Sequence, residues 1–247
     1  MSATRDESRL VVVTAVGAET RAVLAALTRP KRIALAGLRA WDAQAGTRAV
    51  TLVQAGIGPM RARAALQAVH LPHGLIVSVG FAGALVAEAS PGDIVLPDTI
   101  LWEDDTGTHR YTVPARTWQT ARAPLPEDLA LRTLQGALLS SPIVLASPEA
   151  KRSAARRCGA VAVEMEAAAL VAVARDRGIA LVVLRAILDT VDVSLEQLPP
   201  DLDSSWLARA RLVGRPGAWP GVLALTRQIP HVARALTQAS AAVLSAL

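Results

Sequence analysis

An α/β fold is predicted by three observations: an uninterrupted apolar run from Leu181 to Ile187, an alanine-rich segment of helical periodicity just before it, and glycine-rich turns after two earlier apolar runs. In chain order, the first strand is Leu10-Val-Val-Val-Thr14, followed by the turn Ala15-Val-Gly-Ala-Glu19 and a helix from Glu19 to Leu27. A short β-branched run closed by glycine suits a strand covered on both faces. A second such strand begins at Leu75 and is expected to end in the turn Ser78-Val-Gly-Phe-Ala-Gly83, where the glycines permit tight backbone geometry. From Glu164 to Arg177, Met165, Ala169, Ala172 and Val173 recur at helical spacing and Gly178 provides a stop, so Glu164 and Glu166 are expected in the first helical turn. Leu181–Ile187 then reads as a buried strand of a parallel sheet. Asp189 falls just past its carboxyl end, where ligands bind in open α/β sheets.

Two further segments are read by pattern. Trp102 to Pro126, with Asp104-Asp105, Thr106, Gly107 and several prolines, is expected to be an irregular loop or lid. From Trp219 on, Val222, Leu225, Ile229, Val232, Leu236, Val243 and Leu247 mark a long amphipathic helix that Pro230 should kink or split. It is expected to cover the sheet or serve an oligomer interface.

The 247 residues fit one large α/β domain, and no Ser- or Gly-rich linker divides them. The 52% hydrophobic share comes mostly from Ala, Leu and Val, and the longest uncharged apolar stretch, Leu75 to Ala87, is too short to span a bilayer. The amino terminus mixes both charge signs, unlike a secretory signal. One cysteine, Cys158, excludes an internal disulfide, and no residues have metal-site spacing. A cytoplasmic, metal-free protein is the expectation. The net charge of +5 raises nucleic-acid binding as a rival reading, with Lys151-Arg152, Arg156-Arg157 and the trio Arg209, Arg211 and Arg215 as its basis. These residues lie at helical spacing and read as solvated faces, without interleaved aromatics for base stacking. His70, His73, His109 and His231 show no paired arrangement and read as surface or loop residues.

Glu166 and Asp189 require an account, because each places a carboxylate beside an apolar element where hiding charge is costly. A structural account is available: acidic residues stabilise helix amino termini, and Asp after a strand caps a turn. It leaves unexplained their company with Gln54-Ala-Gly-Ile-Gly58 and the two glycine-rich turns.

In order, the first strand ending near Glu19, Ala55-Gly-Ile-Gly58, Gly80-Phe-Ala-Gly-Ala84 with Pro91-Gly-Asp-Ile-Val95, Val163-Glu-Met-Glu166 and Arg185-Ala-Ile-Leu-Asp189 resemble the nucleoside phosphorylase and nucleosidase superfamily. The methylthioadenosine/S-adenosylhomocysteine nucleosidases belong to it. Within the superfamily, Val144-Leu-Ala-Ser-Pro-Glu-Ala-Lys151 and the carboxy-terminal stretch from Arg215 look most like hopanoid-associated phosphorylase-like members. The resemblance implies a three-layer α/β sandwich with a central mixed sheet flanked by helices, and cleavage of a purine nucleoside at its N-glycosidic bond. It implies Asp189 as general acid at purine N7, Glu166 on the ribose hydroxyls with Met165 under the sugar, and Glu19 on the attacking water. Ile57, Phe81, Ala82 and Gly83 are the further substrate-binding positions it implies, and a homo-oligomer, with a dimer favoured, is its implied assembly. The chemistry agrees: a ribosyl oxocarbenium needs negative charge nearby, and a departing purine needs a proton.

Departures bear on the reaction. Nucleosidases of this kind commonly carry Ser where Phe81 and Leu188 stand, so two hydroxyls are replaced by apolar groups. Gly17-Ala-Glu-Thr-Arg21 has the spacing of a phosphorylase motif, which makes Arg21 a candidate phosphate ligand; a solvated position on the outer helix face explains it equally. The Arg and Ser of the phosphorylase second turn are absent, with Ser78 and Phe81 in their place. Hydrolysis is therefore favoured over phosphorolysis, no cofactor is expected, and phosphate would enter only as co-substrate of a phosphorylase. Phe81 and Leu188 suit a 5′-substituted nucleoside with an apolar tail. A non-catalytic nucleoside-binding relative is the remaining alternative.

Overall fold

The computed structural model describes residues 9–70, 74–196 and 219–247. Its first half runs β1 (Leu10–Thr14), α1 (Gly17–Ala26), the antiparallel run β2 (Thr28–Leu35), β3 (Leu38–Ala45) and β4 (Arg48–Gln54), then α2 (Pro59–Ala68) and β5 (Leu75–Ala84). Next come β6 (Ile94–Val95), β7 (Thr99–Asp104), β8 (Gly107–Thr112), α3 (Ala115–Arg122), α4 (Glu127–Leu131), β9 (Thr133–Leu134) and β10 (Ala137–Ser140). The remainder is α5 (Pro148–Cys158), β11 (Ala160–Glu164), α6 (Ala167–Arg177), β12 (Ala180–Asp189) and α7 (Trp219–Ala246).

All strands among the described residues belong to one mixed sheet, whose main path runs β2-β3-β4-β1-β5-β11-β10-β7-β8. β12 lies parallel to β5 along its length. Every residue of β1 is buried. Leu10 and Val12 enter one core with α1 and α7, while Val11 and Val13 enter the other with α2 and α6. That two-sided covering is why β1 and β12 read as continuous apolar runs rather than as alternating ones. The three-layer sandwich expected from the sequence is the architecture observed.

Several boundaries differ from expectation. The segment Trp102 to Pro126 is ordered as the end of β7, all of β8 and α3, with Asp104-Asp105-Thr106 forming the hairpin turn. Trp102 stacks on His109 with ring centroids 5.3 Å apart, and Asp104 accepts from His109 Nε2 at 2.8 Å, so His109 is a paired residue after all. Turn residues and prolines concealed a cross-strand aromatic pair, a contact invisible to local pattern. The glycine-rich segment Gly80–Gly83 continues β5 instead of ending it, because β12 and then β11 supply partners on either side. α7 runs unbroken through Pro230. Its packing on α1 and β12 holds the helix together across the lost backbone hydrogen bond. Arg209, Arg211 and Arg215, and His73, lie outside the described residues. Among the described residues, no helix is long and apolar enough to cross a membrane, and no group of His, Cys, Asp and Glu could hold a metal ion.

Candidate active site

The site forms where the sheet forks. β1 pairs with β5 as far as Val13 opposite Ser78, and β11 approaches β5 from the opposite direction with Val163 opposite Gly83. Their carboxyl ends therefore face one another across Val79–Ala82, a topological switch point of the kind that opens a crevice. β12 passes on the other side of β5 and ends with Asp189 opposite Gly83. A bulge at Leu188 interrupts the pleat there. In a regular strand Leu188 and Asp189 would point to opposite faces; the extra residue lets both line the same cavity.

Glu19 sits in the first turn of α1 with its carboxylate folded back on the chain. Its Oε2 accepts from the backbone N–H of Ala15 at 2.8 Å and of Val16 at 2.9 Å, and its Oε1 accepts from Phe81 N–H at 2.8 Å. The group is buried, and burial pushes its pKa up against the opposing pull of these N–H groups and Arg185. Gly80 makes room for it, since a Cβ there would lie 2.7 Å from Oε1. Gly80→Ala is accordingly expected to displace Glu19 and lower kcat more than about tenfold, with smaller change in KM; a steady-state assay showing an unaltered kcat would contradict this placement.

Glu164 ends β11 rather than opening a helix. Its carboxylate accepts from the N–H groups of Glu166 and Ala167 at 3.1 and 3.0 Å, so it caps α6 from outside. It also accepts from Arg185 Nη2 at 2.6 Å, while Arg185 donates to Ser78 O and Oγ at 2.9 and 2.8 Å. This fully buried pair bolts β11 to β12 and β5. The Glu166 carboxylate, by contrast, has one hydrogen-bond partner among the described residues, the N–H of Gly58 donating to Oε1 at 2.8 Å. Gly58 has φ of 99°, a conformation that favours glycine, which explains the glycine ending Ala55-Gly-Ile-Gly58. Desolvation, then the charge of Glu164, pushes the Glu166 pKa up to about 8. Glu19, Glu166, Ser78 and Arg185 share a small cavity of about 10 Å³, about one water molecule in size.

That pocket adjoins a larger cavity of about 170 Å³, lined by Glu19, Ile57, Phe81, Met165, Glu166 and Asp189, with Ile143, Val144, Leu145, Leu188 and Leu195 adding an apolar wall. Asp189 is buried, and desolvation raises its pKa despite the nearby Lys151 ammonium. Lys151, from α5, is itself only 1% exposed and donates to Asp189 Oδ2 at 2.5 Å.

Compared with known families, residues 9–211 match the model of the phosphorylase superfamily. The chain belongs to that superfamily. A search of curated proteins finds no match. Among solved structures it is similar to the 5′-methylthioadenosine/S-adenosylhomocysteine nucleosidase of Neisseria meningitidis in complex with methylthio-immucillin-A (18% identity, TM-score 0.77, covering 97% of this chain and 100% of that one). It is also similar to the S-adenosylhomocysteine nucleosidase of Streptococcus pyogenes (17%, 0.78, 99% and 99%) and to the futalosine hydrolase of Helicobacter pylori (16%, 0.67, 91% and 98%). At these identities the likeness is one of fold.

This superfamily member brings Glu19, Ile57, Phe81, Ala82, Gly83, Met165, Glu166 and Asp189 together around the larger cavity. Arg21 is not among the residues lining either cavity; it is exposed on α1. Lys151, expected on a solvated face, is instead a buried partner of Asp189. The helical face it shares with Ala154, Ala155 and Cys158, free of Arg and Glu, was the available signal. The other α5 cations are surface residues, with Arg152 paired to Asp192, Arg156 to Glu149 and Arg157 to Glu103. Arg185 and Glu164 carry the site's internal charge pair, and an arginine inside an apolar strand was the clue that a buried acid must meet it.

Glu19, Glu166 and Asp189 all hold protons more tightly in the folded protein than in the unfolded chain. For Glu166 the window runs from the ordinary 4.5 to about 8. Within it the folded state binds more protons than the unfolded state, so stability falls as pH rises. Thermal melts are expected to show Tm declining by a few degrees from about pH 5 to about pH 8.5. The decline should be shallower in Glu166→Gln, and a wild-type Tm that climbs over this range would refute the assignment.

Proposed function

We propose that this protein hydrolyses the N-glycosidic bond of a purine nucleoside, with 5′-substituted adenosines as the preferred class, and releases the free base. The observation that supports it most is the convergence of three carboxylates with raised proton affinity on one cavity: Asp189 on one wall, and Glu19 with Glu166 beside the water-sized pocket.

The roles follow from position. Asp189, whose burial raises its proton affinity, donates to N7 as the bond from C1′ to N9 breaks and its electron pair moves onto the purine. Glu166, with one oxygen on Gly58 N–H, has an oxygen left for the ribose hydroxyls. Glu166, its pKa raised to about 8, offers hydrogen bonds to the ribose, and the charge of Glu19 stabilises the cationic sugar. Water in the small pocket attacks C1′ and passes a proton to Glu19, whose raised proton affinity suits a base. The apolar wall from Ile143 to Leu145, with Leu188 and Leu195, suits an apolar 5′ substituent.

Water is favoured over phosphate because the cations lining the two cavities, Arg185 and Lys151, are committed to Glu164 and Asp189. Arg21 lies outside. Incubation with adenosine and its 5′-methylthio derivative, with and without phosphate, is expected to yield adenine and the free sugar at rates unaffected by phosphate, in wild type and in Arg21→Ala alike. A sugar 1-phosphate product with phosphate-dependent turnover would replace hydrolysis by phosphorolysis. The proposal includes a cytoplasmic homodimer covering Met60 and Ile143, which are 78% and 66% exposed beside the substrate-facing loops; a monomer by light scattering would remove that part.

A further inference from the structure

We propose that Lys151 is a positioning residue for the general acid: it holds one oxygen of Asp189 and stabilises the carboxylate left behind when the proton moves to the base. The inference rests on the nucleosidase reading above and adds a residue to it. Three hydrogens of the Lys151 ammonium meet three acceptors, Asp189 Oδ2 at 2.5 Å and the carbonyl oxygens of Thr190 and Val193, each at 2.9 Å. The side chain is 1% exposed. Burying an ammonium costs several kcal/mol unless it is fully partnered, and a methionine would fill similar volume without that cost. The charge is kept where it meets the reacting carboxyl group.

The geometry has two consequences. With Oδ2 tied to Lys151, Oδ1 is the oxygen left for a base, so the acid is held in one orientation. The two carbonyl contacts pin the chain after β12, which then returns across the cavity, Leu195 N–H donating to Ala146 O at 2.6 Å. Leu195 lines that cavity.

Electrostatics adds a dynamic role. In the proton-bearing form from which transfer starts, Oδ2 belongs to a neutral acid; after transfer it carries carboxylate charge, and a charge-assisted hydrogen bond to it is stronger. The contact therefore tightens along the reaction coordinate and accelerates the step instead of merely binding substrate. The balance closes: the Asp189 proton goes to N7, the C1′–N9 electron pair goes to the purine, water adds to C1′ and its proton goes to Glu19. Glu19 then releases that proton to solvent, and Asp189 recovers one from solvent.

The test compares a purine nucleoside with para-nitrophenyl ribofuranoside, whose phenolate departs without protonation, using the full chain. Lys151→Met is expected to lower kcat on the nucleoside about 100-fold with KM within about threefold, while nitrophenyl riboside turnover stays within about threefold. Lys151→Arg should restore part of the nucleoside rate. In an Asp189→Asn background, Lys151→Met should cost nothing further on the nucleoside. If Lys151→Met does not fold, the ratio of the two activities in Lys151→Arg decides, and a ratio equal to wild type overturns the proposal. Equal losses on both substrates would make Lys151 a structural staple and overturn it as well. Wild-type protein inert to both substrates would overturn the nucleosidase reading itself, and this inference with it.

Discussion

Asp189→Asn is expected to lower kcat on a purine nucleoside by about 10³-fold, with KM changed less than about threefold. The amide keeps the size of the side chain and an oxygen to accept from Lys151 Nζ, so the three contacts of the lysine and the register of β12 against β5 should survive. What disappears is the transferable proton. A purine that is not protonated must leave as an anion, a poor leaving group, and a site that supplies no acid must expel that anion into an apolar cavity. The burial that raises the Asp189 pKa keeps the wild-type side chain proton-bearing to higher pH than an exposed aspartate. The decisive measurement is steady-state kinetics together with a crystal or melting-curve check that the variant is folded. Near-wild-type turnover by Asp189→Asn would end the assignment of this residue as acid.

Glu19→Gln is expected to reduce kcat about 10²- to 10³-fold and, unlike Asp189→Asn, to destabilise the fold by about 1–3 kcal/mol. The two effects share one cause. The carboxylate accepts three backbone N–H groups, Ala15 and Val16 on Oε2 and Phe81 on Oε1. A glutamine has one carbonyl oxygen, so whichever way its amide turns, the NH₂ faces at least one N–H donor and leaves it unsatisfied in a buried site. The bend after β1 and the glycine segment of β5 are both held by this side chain, so they should loosen together. Chemical denaturation and product release on the same preparation check both halves. A fully active Glu19→Gln would refute the catalytic role, and an unchanged midpoint of unfolding would refute the structural one.

Much of this site was legible because its parts are short and local. A β-branched run ended by glycine marks a two-sided buried strand wherever it occurs, and β1 and β12 fall where Leu10–Thr14 and Leu181–Ile187 indicate. Glu166 and Asp189 stood out because carboxylates next to such runs are costly. Glu164 and Glu166, both expected in the first helical turn, instead end β11 and take the N-cap position of α6, respectively, since a strand end and a helix first turn share the same pattern in a short run of apolar residues and glutamates. Glu164 also meets Arg185, which is distant in sequence but within 2.6 Å in space. The loop expected between Trp102 and Pro126 became a hairpin because stacking and pairing across strands outweighed turn-forming composition.

Composition and periodicity alone therefore determined the α/β class, the buried strands and the acidic residues that need explaining, because each is written in consecutive or helically spaced side chains. Tertiary structure decided which charges are neutralised and which are left to act. Lys151 belongs to a helix that looks solvated, and only its approach to Asp189, thirty-eight positions on, makes it part of the site. Coulomb and desolvation energies depend on distance and surroundings in space, and neither is encoded in the order of neighbouring residues.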